Sequence, residues 1–401
     1  MTTRTAEPDH TGAVDHGALR ELVIKLHERC NIACDYCYMY EAADQHWRHR
    51  PVAMSTNVID WTARRLAQHA QLHALPHVRV VLHGGEPLLA GPAVIERTVD
   101  TFRSAMPPGT LVSFTVQTNG LLLTEPMLAV LRRQTVRVGV SLDGDRAAND
   151  RHRRDSAGRS SYDAAVAAID RLRQPENRAI YGGLLCTVDV RNDPLVTYER
   201  LLAHEPPRID LLLPHGNWAY PPPGLDPRPS GATAYADWLI AIFDRWYTAP
   251  RLQTRIRLFD SLISLLLGGP SETEAVGLGP PAAVVVESDG SIEGSDALKT
   301  TGPTGAATGL TVQANSLDDV LAHPLIAMAR QGLASLGPEC RGCPAVRVCG
   351  GGLYAHRYSA EASFARPSVY CADLFRLIGH IRGRIEADIA GLRARVVGVG
   401  P

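Results

Sequence analysis

Over the first 230 residues, short apolar and β-branched runs alternate with longer stretches whose apolar residues recur at helical spacing. The runs 21–27, 77–85, 111–120, 136–144, 179–189 and 208–218 read as strands, most of them closing on Gly, Asn or Asp. Between them, 55–74, 92–105, 125–133 and 161–173 read as helices with one apolar face. Six such repeats imply a parallel sheet with right-handed crossovers. Polar residues gather at the C-terminal ends of the strands, where barrel-type folds build their sites. Six units are too few for the usual closed ring of eight. The expected fold is therefore α/β, an open partial (β/α)6 barrel of the TIM type.

The pattern changes at 220–230, a proline-rich stretch that reads as a boundary. Helix-like segments 231–247 and 255–267 follow, then a Gly/Pro-rich region over 268–281. The segment 282–292 reads as a β-hairpin turning at Ser288-Asp289-Gly290, and 372–395 as a closing helix. The expected division is a flexible start (1–20), the barrel (21–230), a helical bridge (231–280), a small cysteine-bearing domain (281–375) and a helix with tail (376–401). A barrel plus a smaller unit suits a chain of 401 residues.

Composition narrows the function classes. Hydrophobic residues make up 45% and charged residues 21%, as in ordinary globular proteins. A net charge of −1 gives no electrostatic reason to expect nucleic acid or an anionic membrane as partner. Lysine occurs only at Lys25 and Lys299, a bias that reads as a GC-rich genome. Residues 1–20 lack the apolar core of a signal peptide, and no later stretch is apolar enough to span a bilayer. A soluble, cytoplasmic protein is expected, in which eight cysteines are not four disulfides.

Cys30-x3-Cys34-x2-Cys37 follows directly on the first expected strand. Thiolates suit iron–sulfur clusters, and a cubane needs four ligands, so three would leave one iron open to a chelating small molecule. A zinc site or three incidental thiols would also account for the spacing, although zinc normally takes four ligands and none is obvious nearby. The chain around these cysteines resembles the radical S-adenosylmethionine (SAM) superfamily. That family carries C-x3-C-x2-C in the loop after its first barrel strand, with an aromatic residue, here Tyr36, before the third cysteine. His83-Gly84-Gly85-Glu86-Pro87 matches the family's GGEP motif. The resemblance implies that Tyr36 packs near the adenine and that the backbone of Gly84, Gly85 and Glu86 approaches the methionyl amino group of SAM. Gln117-Thr118-Asn119-Gly120 and Ser141-Leu142-Asp143-Gly144 close the third and fourth strands, and Asn149-Asp150-Arg151-His152-Arg153 follows. By resemblance to the peptide-modifying branch, Ser141 and Arg153 contact SAM, with Gln117, Asn119 and Asp143 beside them. Without that resemblance, Ser141 and Asp143 are turn formers and Arg153 belongs to a solvated face.

Cys340-x2-Cys343-x5-Cys349 and the distant Cys371 supply four thiolates, a closed set. Structural zinc is the alternative. The spacing resembles the C-terminal SPASM domain of peptide-maturing radical SAM enzymes, where such cysteines ligate an auxiliary [4Fe–4S] cluster. The same resemblance places a further cluster's cysteines near 274, 280, 295 and 353. This chain has Glu274, Pro280, Ser295 and Leu353 there, so that cluster is expected to be absent. Cys186, between apolar neighbours, reads as an inert buried thiol.

From Glu21 onward the chain is similar to the FxsB-like group of radical SAM/SPASM maturases. The likeness rests on Cys37-Tyr38-Met39-Tyr40-Glu41, Asp289-Gly290-Ser291-Ile292-Glu293 and the run from Cys349 to Arg357. It implies two [4Fe–4S] clusters, SAM, a ribosomally made precursor peptide and an external electron donor. The implied product is a C–C crosslink from a Cβ to an aromatic ring, a cyclophane. Asp296 aligns with the catalytic carboxylate of related enzymes; otherwise it is simply an aspartate at a hairpin end. With only some 20 residues before the first strand, leader recognition is expected from the barrel surface, a strand edge or a separate protein. Thioether formation, epimerisation or side-chain oxidation would use the same chemistry. A non-catalytic metal scaffold or electron carrier would leave the Gly84–Pro87 motif and the Ser141/Arg153 pair unexplained.

Overall fold

A computed structural model describes residues 17–223, 225, 232–281 and 283–397. The barrel half runs β1 (Glu21–His27), α1 (Thr56–Leu72), β2 (His77–Gly84), α2 (Pro92–Ala105), β3 (Leu111–Thr118), α3 (Glu125–Arg133) and β4 (Arg137–Ser141). It continues with α4 (Arg146–His152), α5 (Tyr162–Arg173), β5 (Tyr181–Thr187), α6 (Pro194–Leu202) and β6 (Arg208–Leu212). Strands β1 to β6 lie side by side in chain order, every neighbouring pair parallel. The α/β partial barrel is thus present.

The hydrophobic pattern explains the layers. Leu22, Ile24, Leu26, Val78, Val80, Leu82, Phe114, Val116, Val138 and Val140 are buried at alternate strand positions. They share one core with Ile95, Val99 and Phe102 of α2 and with Met127, Leu128 and Leu131 of α3. Each such side chain contributes about 1.5–3 kcal/mol on burial. The intervening positions Lys25, His83, Gln117 and Ser141 point to the opposite, concave side. Register sets Lys25 beside His83 and Gln117 beside Gly139. Helix starts are locally encoded: the Ser55, Asp145 and Asp193 side chains accept from Val58 N, Ala148 N and Val196 N, and α2, α3 and α6 carry proline in the first turn.

Several expected boundaries move. The strands end before their polar tips because those residues bond to side chains instead of continuing the ladder. Asn119 N donates to Glu86 Oε2 at 2.8 Å, for example. The segment 255–267 splits into a two-residue strand, β7 (Arg255–Ile256), which pairs with β6, and α8 (Arg257–Leu266). Residues 1–16 of the expected flexible start, 224 and 226–230 of the proline-rich boundary, 231, Ala282 of the hairpin and the tail 398–401 lie outside the described residues.

The hairpin is β8 (Ala283–Val286) with β9 (Ser291–Glu293), and β10 (Ala307–Thr311) pairs antiparallel to β9. Strand β8 adds in parallel to β1, with Leu22 opposite Val284 and Ile24 opposite Val286. One ten-stranded sheet therefore crosses the boundary expected at 281 and carries Asp296 to the concave side of β1. The terminal helix Cys371–Val397 packs on α7 (Ala234–Tyr247) and α8, and Cys371 is its first residue. Among the described residues, no helix is long and apolar enough to cross a membrane.

Candidate active site

The cysteine loop leaves β1 and is held from both sides. Gly85 N donates to His27 O at 2.9 Å and Glu86 N to Arg29 O at 3.0 Å. A Cβ on Gly85 would lie 1.8 Å from the Tyr40 hydroxyl and 2.7 Å from the Arg29 backbone, so only glycine admits this contact. The Glu86 carboxylate is committed to the protein: it accepts from Leu88 N (3.0 Å), Thr118 Oγ1 (2.7 Å) and Asn119 N (2.8 Å). The GGEP segment thus clamps the loop to the barrel rim. On the far side Ala33 N donates to Arg154 O at 2.7 Å, and His152 Nδ1 meets Asp35 Oδ1 at 2.6 Å.

The structure brings Tyr36, Asp143 and Arg153 together. The Tyr36 hydroxyl donates to Asp143 Oδ2 at 2.5 Å and accepts from Arg153 Nη1 at 2.9 Å, while Thr187 N donates to Asp143 Oδ1 at 3.0 Å. Arg153 is only 7% exposed, which removes the solvated-face alternative. Gln117 Nε2 donates to Ser141 Oγ at 2.9 Å, and Asn119 Nδ2 to Asn31 Oδ1 at 2.7 Å, 3.7 Å from Cys30 Sγ. Burial pushes the Cys30 thiol up to about 11 and the Cys34 thiol to about 12; the neighbouring thiols add to both, and Arg153 opposes them. Cys37 is raised by the same burial. Mutually repelling buried thiols with a cation beside them suit a metal that displaces their protons.

Asp296, the candidate catalytic residue, meets Lys25 across the sheet, Nζ to Oδ2 at 2.5 Å. Lys25 spends its other two protons on His83 Nδ1 (3.1 Å) and Met39 Sδ (3.3 Å), so the ammonium is fully used. Asp296 Oδ1 is buried and has no partner. Burial holds His83 and His215 down at about 4, with Lys25 adding to the effect at His83, so both are neutral near pH 7. Tyr38 stacks edge-on against His215 with ring centroids 4.8 Å apart, and His215 Nδ1 lies 3.3 Å from His356 Nε2. The Asp296 carboxylate thus lies near the rings of Tyr38, His83 and His215. Sequence reasoning missed Lys25, His83, Tyr38 and His215. A signal existed for Lys25: both lysines of the chain are buried, at 0% and 2% exposure. Lys299 binds Glu287 (2.9 Å) and Glu293, and Arg50 joins the same pair, which anchors the turn that carries Asp296.

The four C-terminal cysteines line one cavity of about 110 Å³, with Gly351 and Phe375 also on its wall. Burial and the other three thiols push Cys349 up to about 12; Cys340 and Cys371 are raised chiefly by burial. A second cavity, of about 60 Å³, is lined by Glu274, Ser295 and Leu353, three of the positions without the further cluster's cysteines.

The one close trio among the described residues, His69, His73 and Asp318, lies elsewhere. Leu19 N donates to His69 Nε2 at 3.0 Å, so the ring proton sits on Nδ1, 3.1 Å from Asp318 Oδ2, in the position a metal would need. That trio ties α1 to the helix Leu317–Ala322. Cys186 is buried in β5, its thiol raised well above its usual value by burial.

Residues 24–177 match the family model described as the radical SAM superfamily. A serine-type anaerobic sulfatase-maturating enzyme of Klebsiella aerogenes is 34% identical over 146 residues, which is 36% of this chain and 34% of that protein. The chain thus matches about a third of that relative's length. A cysteine-type anaerobic sulfatase-maturating enzyme of Clostridium perfringens (strain ATCC 13124) is 25% identical over 354 residues, 85% of this chain and 90% of that protein. Among solved structures, native anSMEcpe with bound AdoMet and the Kp18Cys peptide superposes with a TM-score of 0.77 at 21% identity, covering 92% of this chain and 99% of that one. Streptococcus suis SuiB superposes at 0.58 and 17% identity, covering 88% of this chain and 77% of that one. Both show the fold.

Proposed function

We propose that this chain, whose residues 24–177 match the radical SAM superfamily model, is a radical SAM enzyme that matures a ribosomally made precursor peptide. The product we assign is a cyclophane, with the Cβ of one residue joined to a nearby aromatic ring. The thiol count carries the reading. Three cysteines, Cys34 buried and Cys30 and Cys37 half-buried, converge on the loop after β1, leaving one ligand position open, and four line the C-terminal cavity. Cys30, Cys34 and Cys37 would hold a [4Fe–4S] cluster that binds SAM; Cys340, Cys343, Cys349 and Cys371 would hold an auxiliary [4Fe–4S] cluster. When bound, these groups supply a 5′-deoxyadenosyl radical and an electron sink.

The remaining tasks fall to side chains. Gly85 and Glu86 fix the loop, and the Tyr36–Asp143–Arg153 triad walls its inner side. Gln117, Asn119 and Ser141 offer polar contacts on the concave face. The rings of Tyr38, His83 and His215, with both imidazoles held neutral by burial, would exclude water beside the peptide. Asp296 Oδ1 accepts the proton released as the ring regains aromaticity, while Lys25 fixes the other oxygen. One hydrogen atom leaves Cβ, and a proton and an electron leave the ring adduct. The peptide ends two hydrogens lighter.

An external electron donor and a separate leader-recognition protein complete the proposed partners. Eight cysteines free of disulfides suit a reducing cytoplasm. A second reading, oxidation of a serine or cysteine side chain on a sulfatase-type substrate, draws on the likeness to the Clostridium relative over 85% of this chain.

The test is anaerobic turnover with SAM, dithionite and the peptide encoded by a short open reading frame beside the gene. The crosslink predicts 5′-deoxyadenosine and a peptide two hydrogens lighter that gives no fragments inside the ring. A product that labels with an aldehyde probe favours the second reading. Intact SAM under these conditions sinks both.

A further inference from the structure

Arg357 closes the single helical turn Tyr354–Arg357 and is 3% exposed. Buried guanidinium groups normally have carboxylate partners, because an unpaired charge in the interior is strongly disfavoured. Arg50 meets Glu287, Asp289 and Glu293, and Arg153 bonds Tyr36 beside Asp143. Arg357 has no such arrangement. Among the described residues it forms no ion pair, its Nε has no partner, and Nη1 reaches only the Ser335 carbonyl, at 3.5 Å. Its other neighbour is the face of Tyr354, 4.6 Å from Cζ to the ring centroid.

The guanidinium lies between the two C-terminal cavities. A Cβ on Gly351 would sit 3.4 Å from Arg357 Nη1, and Gly351 lines the four-thiol cavity. Arg357 itself lines the neighbouring cavity with Glu274, Ser295 and Leu353. Gly351 thus brings the cation close to the cysteines, and its φ of +81° reserves the position for glycine. Burial lowers Arg357 from the ordinary guanidinium value, and Tyr354, Cys340 and Cys349 act in the opposite direction.

We propose that Arg357 is the buried counter-cation of the four-thiolate cluster and sets its reduction potential, a positioning role in electron transfer. This rests on the reading of Cys340, Cys343, Cys349 and Cys371 as cluster ligands. A four-thiolate cubane carries a net double negative charge when oxidised and a triple one when reduced. A fixed positive charge stabilises the reduced form more, so it raises the potential and makes the cluster a better acceptor for an electron leaving a substrate radical.

The test uses the full chain with Cys30, Cys34 and Cys37 changed to Ala, so that only the C-terminal cluster is observed. Iron and sulfide content and an EPR-monitored redox titration are compared with and without Arg357→Gln and Arg357→Lys. The expected result is a full cluster in all three proteins, a more negative midpoint with Gln and a midpoint near the parent with Lys. Assembly with Lys but not with Gln also supports the role of charge. An unchanged potential with Gln, or loss of the cluster with both substitutions, overturns it. Absence of a cubane in the parent protein is a separate result: it removes the ligand assignment itself and the inference with it.

Discussion

The two cysteine sites gather their thiols by opposite means. At the first, three thiols lie within eight residues on one loop, and the rest of the barrel only presses that loop into place through Gly85, Glu86 and Arg154. At the second, the thiols span Cys340 to Cys371, and the last arrives only because the terminal helix packs on α7 and α8. A local loop can leave a coordination position open to a cofactor. A site assembled from separate elements supplies all four thiols itself. On the proposed reading, exchange belongs at the first site and storage of an electron at the second.

The largest break in this comparison comes from Cys30→Ala. It should abolish formation of 5′-deoxyadenosine and lower the iron content from about eight to about four per chain, measured after anaerobic reconstitution. A wild-type count near twelve would instead mean that the cavity at Glu274, Ser295 and Leu353 binds a third cluster despite its missing cysteines.

Cys349→Ala should also halve the iron, yet leave SAM cleavage in the presence of dithionite while peptide crosslinking falls at least tenfold. Equal loss of both activities would erase the functional division between the sites.

Asp296→Asn should keep both clusters and SAM cleavage and lose at least tenfold in crosslinked product. Because it strands the buried Lys25 ammonium, a cost of about 3–5 kcal/mol, the paired Lys25→Met/Asp296→Asn variant serves as the stability control. Full crosslinking in either protein removes Asp296 from catalysis.

The smallest effect is on pH dependence. Burial raises Cys30, Cys34 and Cys349 above an ordinary thiol, to about 11, 12 and 12, so the folded iron-free chain holds protons that the unfolded chain releases. Its stability should be complete below pH 9 and decline as pH rises from about 9 toward 12, by on the order of 1 kcal/mol per thiol at pH 10. The iron-loaded protein, whose thiolates have already lost their protons, should lack this slope in thermal melts read across that range.

Most of the barrel was legible in the chain. Apolar and β-branched runs alternating with apolar helix faces predicted the parallel sheet, and β1, α2 and α3 occupy the residues expected of them. Strand ends were less legible, since residues such as Asn119 and Thr187 give their backbone N–H groups to carboxylates from neighbouring strand ends. The cysteine sets were legible because their chemistry needs thiols at particular spacings, whereas Tyr36, Asp143 and Arg153 were named through the family resemblance and only the structure joins them. Lys25 was harder to recognise. Its partner Asp296 is 271 residues away, and nothing in a strand reading ELVIKLH says which way an ammonium will turn.

By itself, the sequence determined the parallel α/β barrel, the three-plus-four division of the cysteines and the absence of thiols at four further positions. These depend on residue type, periodicity and short spacing. Tertiary structure alone decided that β8 extends the barrel sheet beside β1, that Asp296 meets Lys25 with one oxygen left free, and that Arg357 lies unpaired between two cavities. Each of those depends on which distant surfaces are desolvated together. The energy of a buried charge is set by the groups that end up around it, and they come from all along the chain.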